Sequence, residues 1–235
     1  MKLGVNIDHI ATLRNARGQN NPSIIRALKI CEKNKVNILT VHLREDRRHI
    51  NDRDLIQLKK QSLLPINLEM ALTDEMIKIA IKVKPNFICL VPEKRNEITT
   101  EGGLNLEKIS LKKLKLLLML CNSKNIQLSA FVNPKKKIID LAKKLGFHSV
   151  ELHTGTLDKD KVHKSEIMKI NNMIKYSFNK NLVVNIGHGL NFKNIRYIRN
   201  RKMVDTVHIG HFIISEAIFI SLSKTIKMFK KIIKS

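Results

Sequence analysis

Tryptophan is absent from the 235-residue chain, and aromatic residues together supply only 4% of it. The core must therefore be built from Ile, Leu, Val and Met, and a hydrophobic content of 43% suffices for a sizeable one. Cysteine is nearly absent too. Cys31, Cys89 and Cys121 are scattered, with no Cys-x-x-Cys spacing, which argues against a disulfide frame and for a reduced compartment. No stretch approaches the run of about 18 apolar residues that a membrane span needs. The opening MKLGVNID has no long apolar segment, so it is read as part of the protein rather than as a secretory signal. The expectation is a cytoplasmic protein with no membrane partner.

Acidic residues are scarce as well. Twenty Asp and Glu face 44 Lys and Arg, for a formal net charge of +24. Such a balance suits a nucleic-acid partner or a lysine-rich solvated surface. The lysines fall at helical spacing, as in Lys112, Lys113 and Lys115 or Lys227, Lys230 and Lys231. No aromatic residues interleave with them as a base-stacking surface requires. The solvated surface is the preferred reading, with no nucleic-acid partner.

What the chain does contain is a repeated arrangement of short apolar strands that end abruptly in a few polar, glycine or histidine residues, each followed by a helix. The predicted strands are Leu3–Ile7, Val36–Val41, Pro65–Met70, Asn86–Val91, Ile126–Phe131, Ser149–His153, Leu182–Ile186 and Thr206–Ile209. Their cores hold no Lys or Arg although 27% of the chain is charged, as expected of strands buried on both faces of a parallel sheet. Ala11–Gly18 reads as a basic, glycine-ended loop, and Ser23 as the cap of the helix after it. A short helix is predicted over Phe192–Arg199, and one amphipathic helix runs from the eighth strand to the C-terminus. Eight βα units in this length fit a closed α/β barrel, the (β/α)8 or TIM barrel, better than an open sheet. With no linker visible, residues 1–235 are expected to form one domain.

In such a barrel all strand C-termini open on one face. That face would gather Asn6, Asp8, His9, His42, Glu69, Glu151, His153, His188 and His211. Several imidazoles and carboxylates in one place suit proton transfer near neutral pH. The densest stretch is Val41–Asp52, VHLREDRRHIND, in which arginines for anions accompany His42 and His49. The glycine turns Gly187–Gly189 and Gly210–His211 end the seventh and eighth strands, where barrels commonly cradle phosphate. Arg14, Arg17, Arg44 and the loop around Thr99 are candidates for a second phosphate. A required metal is not expected, because the strand-end histidines show no His-x-His or His-x-x-x-His spacing. No strand offers a lysine for imine chemistry, and Lys94 lies beyond the fourth strand.

The segments Gly4–Gly18 (GVNIDHIATLRNARG), Thr40–Ile50 (TVHLREDRRHI), Asn67–Met70 (NLEM), Leu90–Arg95 (LVPEKR), Thr99–Gly103 (TTEGG) and Gly187–Leu190 (GHGL) resemble the pyridoxine 5′-phosphate synthase family of bacterial vitamin B6 synthesis. The match is collinear from Gly4 to about Ala217. The resemblance implies an (α/β)8 barrel with extra helices, assembled as a homo-octamer of dimers, and no metal or organic cofactor. It implies condensation of 3-amino-2-oxopropyl phosphate with 1-deoxy-D-xylulose 5-phosphate to pyridoxine 5′-phosphate, phosphate and water. It assigns His42 and Glu69 as proton acceptors, His188 as proton donor and Glu151 as a transition-state-stabilising acid. Asn6, Arg17, Gly189, Gly210 and His211 match its aminoketone-phosphate site. Asp8, His9, Arg44, His49 and Thr99 match its deoxyxylulose-phosphate site. The polar Glu93–Gly103 loop would then be a lid. The competing readings are another phosphosugar isomerase or aldolase on the same fold, and a basic nucleic-acid-binding protein.

Overall fold

Alternate residues along each strand differ in character, and this alternation gives the sheet two different faces. In the computed structural model, which describes residues 1–93, 102–158 and 162–234, eight parallel strands close into a barrel in chain order. They are β1 (Lys2–Asn6), β2 (Ile38–His42), β3 (Ile66–Met70), β4 (Phe87–Leu90), β5 (Gln127–Val132), β6 (Ser149–His153), β7 (Val183–Gly187) and β8 (Thr206–Ile209). Pairing of β8 with β1, from Lys2 opposite Thr206 to Val5 opposite Ile209, completes the ring.

The helices are α1 (Asp8–Arg17), α2 (Ile24–Lys33), α3 (Asp52–Gln61), α4 (Asp74–Val83), α5 (Leu111–Ser123), α6 (Lys136–Lys144), α7 (Lys164–Asn179), α8 (His211–Ile220) and α9 (Leu222–Lys234). They cover the outer face. Leu3, Val5, Leu39, Val41, Leu68, Ile88, Leu128, Val150, Leu152, Ile186 and Val207 are almost fully excluded from solvent and belong to one continuous core. Each such side chain contributes about 1.5–3 kcal/mol by leaving water. Among the described residues, no helix is long and apolar enough to cross a membrane.

The inner face departs from the apolar strand expected on both sides. Thr40, Asn67, Ser129, Ser149, Glu151, Thr206 and His208 are buried there, and Asn67, Ser129, Asn185 and Thr206 line a small interior cavity below the mouth. Barrel centres are more often packed with branched apolar residues. Apart from exposed Lys2 at the start of β1 the strands exclude cations, but the inner row is small and polar.

Three local readings are corrected. Ala11–Gly18 is not a loop: α1 starts at Asp8, straight after β1, and Gly18 closes it in the left-handed conformation (φ 63°). Asp8 in its first turn and Arg14 and Arg17 in its last complement the helix dipole. The helix expected over Phe192–Arg199 is only a 3₁₀ turn, Asn194–Tyr197. The single C-terminal helix is broken at Ser221 (φ 75°, ψ 146°) into α8 and α9. There Phe229 of α9 packs on Phe192 and Phe212, with ring centroids 4.6 and 5.8 Å apart.

Candidate active site

The strand C-termini surround one cavity of about 410 Å³. Its walls carry Asn6, Asp8, His9, His42, Arg44, His49, Glu69, Glu151, His188, Gly189, Gly210 and His211. Side chains from six different strands or the turns after them therefore share one space. Among the described candidates, Arg14, Arg17 and His153 do not line it. Arg17 sits exposed at the end of α1. Thr99, Lys94 and most of the expected lid, residues 94–101, lie outside the described residues. Arg14, a candidate for phosphate, is committed elsewhere. Its guanidinium grips both Asp54 oxygens, each at 2.7 Å, tying α1 to the first turn of α3.

Three carboxyls meet in the mouth. Asp8 Oδ2 accepts from Asn6 Nδ2 at 2.7 Å, and Oδ1 accepts from the His42 backbone N–H at 2.9 Å. Burial pushes Asp8 up to about 6, against the opposing pull of His42 and these hydrogen bonds. Glu69 lies opposite His42 in the β2–β3 register. Burial, then the neighbouring Glu151 and Asp8 carboxyls, hold it well above the ordinary value. Burial raises Glu151 to about 8. Carboxyls so placed hold their protons to a higher pH than free ones and titrate together, which suits groups that both give and take protons.

Asp8, His42 and Glu69 bring ligand-type atoms within 4.8 Å of one another, a spacing compatible with a cation.

The imidazoles form two groups. His9 stands edge-on between His49 and His211, with centroids 5.7 and 5.0 Å away. Thr12 Oγ1 lies 3.1 Å from the Asp8 carbonyl oxygen and 2.6 Å from His49 Nδ1, so one hydroxyl links the first turn of α1 to that ring. Burial, then His9 and His42, lower His49 to about 4, leaving a neutral ring. The second group is His153 and His188, 4.9 Å apart. Burial, then His188, bring His153 down to about 4. Burial lowers His188, with Asp158 opposing and His211 assisting.

The turn after β7 puts His188 (φ 72°) and Gly189 (φ 68°) in consecutive left-handed conformations. A Cβ on Gly189 would meet Gly155 Cα at 2.8 Å, so only glycine fits. Helix α8 begins at His211, next to Gly210, so a helix N-terminus opens on the cavity. Backbone N–H groups of this kind favour phosphate.

The sequence reading missed two residues. His208 lines the cavity, with Nδ1 2.8 Å from Thr40 Oγ1 and Nε2 4.0 Å from Glu151 Oε2. Burial lowers it to about 4. Its signal was present, as a polar residue on the inner row of β8. Glu93, just past β4, reaches His42 Nε2 at 2.8 Å. No spacing could reveal that pair, because the fold alone joins them.

The profile of the family described as "Pyridoxal phosphate biosynthesis protein PdxJ" matches residues 3–235. The chain is 45% identical to the pyridoxine 5′-phosphate synthase of Pelagibacter ubique (strain HTCC1062), covering 98% of each. It is also 45% identical to that of Ehrlichia canis (strain Jake), over 99% of this chain and 97% of the relative. Among solved structures it resembles 3-hexulose-6-phosphate synthase of Salmonella typhimurium, with a TM-score of 0.70, 11% identity, and 99% and 98% coverage. It also resembles orotidine 5′-monophosphate decarboxylase of Methanocaldococcus jannaschii, with a TM-score of 0.65, 15% identity, and 100% and 99% coverage. At those identities the likeness is one of fold.

Proposed function

The chain belongs to the PdxJ family of vitamin B6 biosynthetic enzymes, and from that premise we propose that it makes pyridoxine 5′-phosphate by condensing 3-amino-2-oxopropyl phosphate with 1-deoxy-D-xylulose 5-phosphate. The observation that carries this reading is the single cavity in which Asp8, His42, Glu69, Glu151 and His188 meet beside a glycine-built anion cradle.

The amine of one substrate attacks the ketone of the other. The imine so formed loses and regains protons at several carbons, phosphate and water depart, and an aldol-type closure makes the aromatic ring. Almost every step is a proton transfer, so the work falls to general acids and bases. His42 and Glu69 act as acceptors and His188 as donor. Glu151, carrying its proton at neutral pH, stabilises negative charge as it develops. Asn6, Gly189, Gly210 and His211 hold the aminoketone phosphate; Arg17, which the family resemblance adds to that set, stands at the end of α1 outside the cavity wall. Asp8, His9, Arg44, His49 and Thr99 hold the sugar phosphate. Burial disfavours the charged form of His9, so its ring offers an N–H donor to an anion without bringing a full charge. Assembly as a homo-octamer of dimers belongs to the same reading. Ile218 and Phe219, 71% and 83% exposed on α8, offer such an assembly an apolar face to bury.

The test is formation of pyridoxine 5′-phosphate from the two phosphates together, with neither alone giving product. An isomerase or aldolase would turn over a single substrate, and that outcome would replace this reading. Sedimentation of the purified protein reports the assembly.

A further inference from the structure

His42 has two ring nitrogens, and the fold treats them differently. Nε2 lies 2.8 Å from Glu93 Oε1, with both side chains almost fully enclosed at 8% and 5% exposure. The second oxygen of the same carboxylate, Oε2, accepts the Glu45 backbone N–H at 3.0 Å. Glu93 is therefore pinned at both oxygens and cannot rotate away from the imidazole without losing a second bond. Burial alone would raise its pKa. The His42 hydrogen bond, the Glu45 amide and Arg44 oppose this, as does the His42 charge whenever the ring is protonated, and Glu93 is held below the ordinary carboxyl value. An ionised carboxylate is an acceptor only. A bare Nε2 facing it at 2.8 Å would set lone pair against lone pair, so Nε2 must carry the hydrogen.

The backbone of His42 is fixed as well, by Asp8 Oδ1 on its N–H and by its place opposite Glu69 in the sheet. His42 lines the main cavity, whereas Glu93 is not among the lining residues. The carboxylate thus works on the ring from behind.

We infer that Glu93 is the positioning residue of His42, binding Nε2–H and thereby leaving Nδ1 as the nitrogen that accepts the substrate proton. This rests on the proposed role of His42 as a base. When Nδ1 takes up a proton, both nitrogens carry hydrogen and the ring becomes cationic. Glu93 then faces an imidazolium, whose charge it stabilises in an enclosed setting without moving. A carboxylate oriented behind a histidine is a recurrent way to fix both tautomer and aim.

The experiment uses the full-length protein with ¹⁵N-labelled histidine, the His42→Asn protein serving to assign the His42 signals. The expected spectrum shows His42 with Nε2 protonated and Nδ1 bare. In parallel, Glu93→Gln keeps the shape but loses the charge and one of the two acceptors. Its kcat should fall at least about tenfold, with KM for each substrate within about threefold of the parent, the pattern of a group acting through an oriented partner. Added formate should return part of the kcat lost in Glu93→Ala. A His42 signal with hydrogen on Nδ1, or a Glu93→Gln kcat within about threefold of the parent, overturns the inference. If the unsubstituted protein makes no product from the two phosphates, the proposed reaction falls, and the ¹⁵N spectrum still decides whether Glu93 sets the tautomer of His42.

Discussion

Replacing Gly187 by alanine would strike the proposed catalytic centre from behind without removing any functional group. A Cβ at that position lies 2.0 Å from Glu151 Oε1, 3.0 Å from Glu151 Cδ and 3.3 Å from the His208 carbonyl oxygen. Real Cβ atoms essentially never approach closer than 3.0 Å, so the carboxyl must retreat by about 1 Å. Its oxygen is the far end of a flexible side chain on the cavity wall, so it can swing toward the open space, but only by leaving its place. Cys89 Sγ lies 3.9 Å and His208 Nε2 4.0 Å from its other oxygen, and Glu151 is 4% exposed. Displacing a reacting group by about 1 Å costs on the order of a hundredfold in rate. Forcing an extra methyl into a packed site costs about 1–3 kcal/mol. Steady-state formation of pyridoxine 5′-phosphate should therefore fall roughly a hundredfold, the scale of such a misplacement, with a measurable loss of melting temperature. Adding Glu151→Asp to Gly187→Ala withdraws the carboxyl by one methylene. That double variant should recover the melting temperature but not the turnover. If Gly187→Ala alone turns over within about threefold of the parent, the placement of Glu151 does not matter to the reaction and its proposed role is wrong.

Glu69→Gln and His188→Asn should each lower kcat by at least about a hundredfold, as expected for losing one general acid or base. Near-normal turnover in both would mean that neither side chain carries a proton in the rate-limiting chemistry. Arg14→Ala leaves the buried Asp54 without its partner, 12% and 7% being the exposures of the two side chains. Breaking such a pair costs about 3 kcal/mol, or roughly 6–12 °C of melting temperature in a chain of this size. KM for both substrates should stay unchanged, whereas a phosphate-binding Arg14 would raise one of them. Stability should also depend on pH. His49, His153 and His208 stay neutral in the fold down to about 4, while the unfolded chain protonates them near 6.5. Unfolding then takes up protons, so stability present above 6.5 is lost as pH falls toward 4. On the alkaline side Glu151 keeps its proton to about 8 against 4.5 when unfolded, so stability present below 4.5 is lost as pH rises through 8. Melting curves across this range should show both flanks, and His208→Asn should flatten the acid one; an unchanged acid slope would mean that His208 is not held neutral.

The barrel was legible because its strands end so abruptly. His42, Glu151, His188 and His211 each follow or close a short apolar run, and a closed sheet needs no further information to bring such ends together. The helix α1 was not legible, since only Asp8 and Ala11 are buried along it and it offers no apolar period to detect. The break at Ser221 carries neither Gly nor Pro. It lies between α9, with its polar face, and α8, whose apolar residues include the exposed Ile218 and Phe219, so no change of pattern marks it. Arg14 looked free for phosphate because Asp54 is forty residues away in sequence and adjacent only in the fold. His208 was missed although its signal was there: it is a polar residue on the inner row of β8 and not in the polar turn that closes the strand.

That inner row has a consequence of its own. Along any strand of this barrel, cohesion and chemistry are assigned to neighbouring residues: Leu39 and Val41 grip the helices, while Thr40 and His42 between and beside them point to the centre. A change on the centre-facing row alters acidity, shape or ligand preference and leaves the outer shell intact. A change one step along loosens the shell and leaves the chemistry as it was. The molecule thus keeps its scaffold and its reactivity on separate, interleaved tracks, and a new specificity can be written on one without erasing the other.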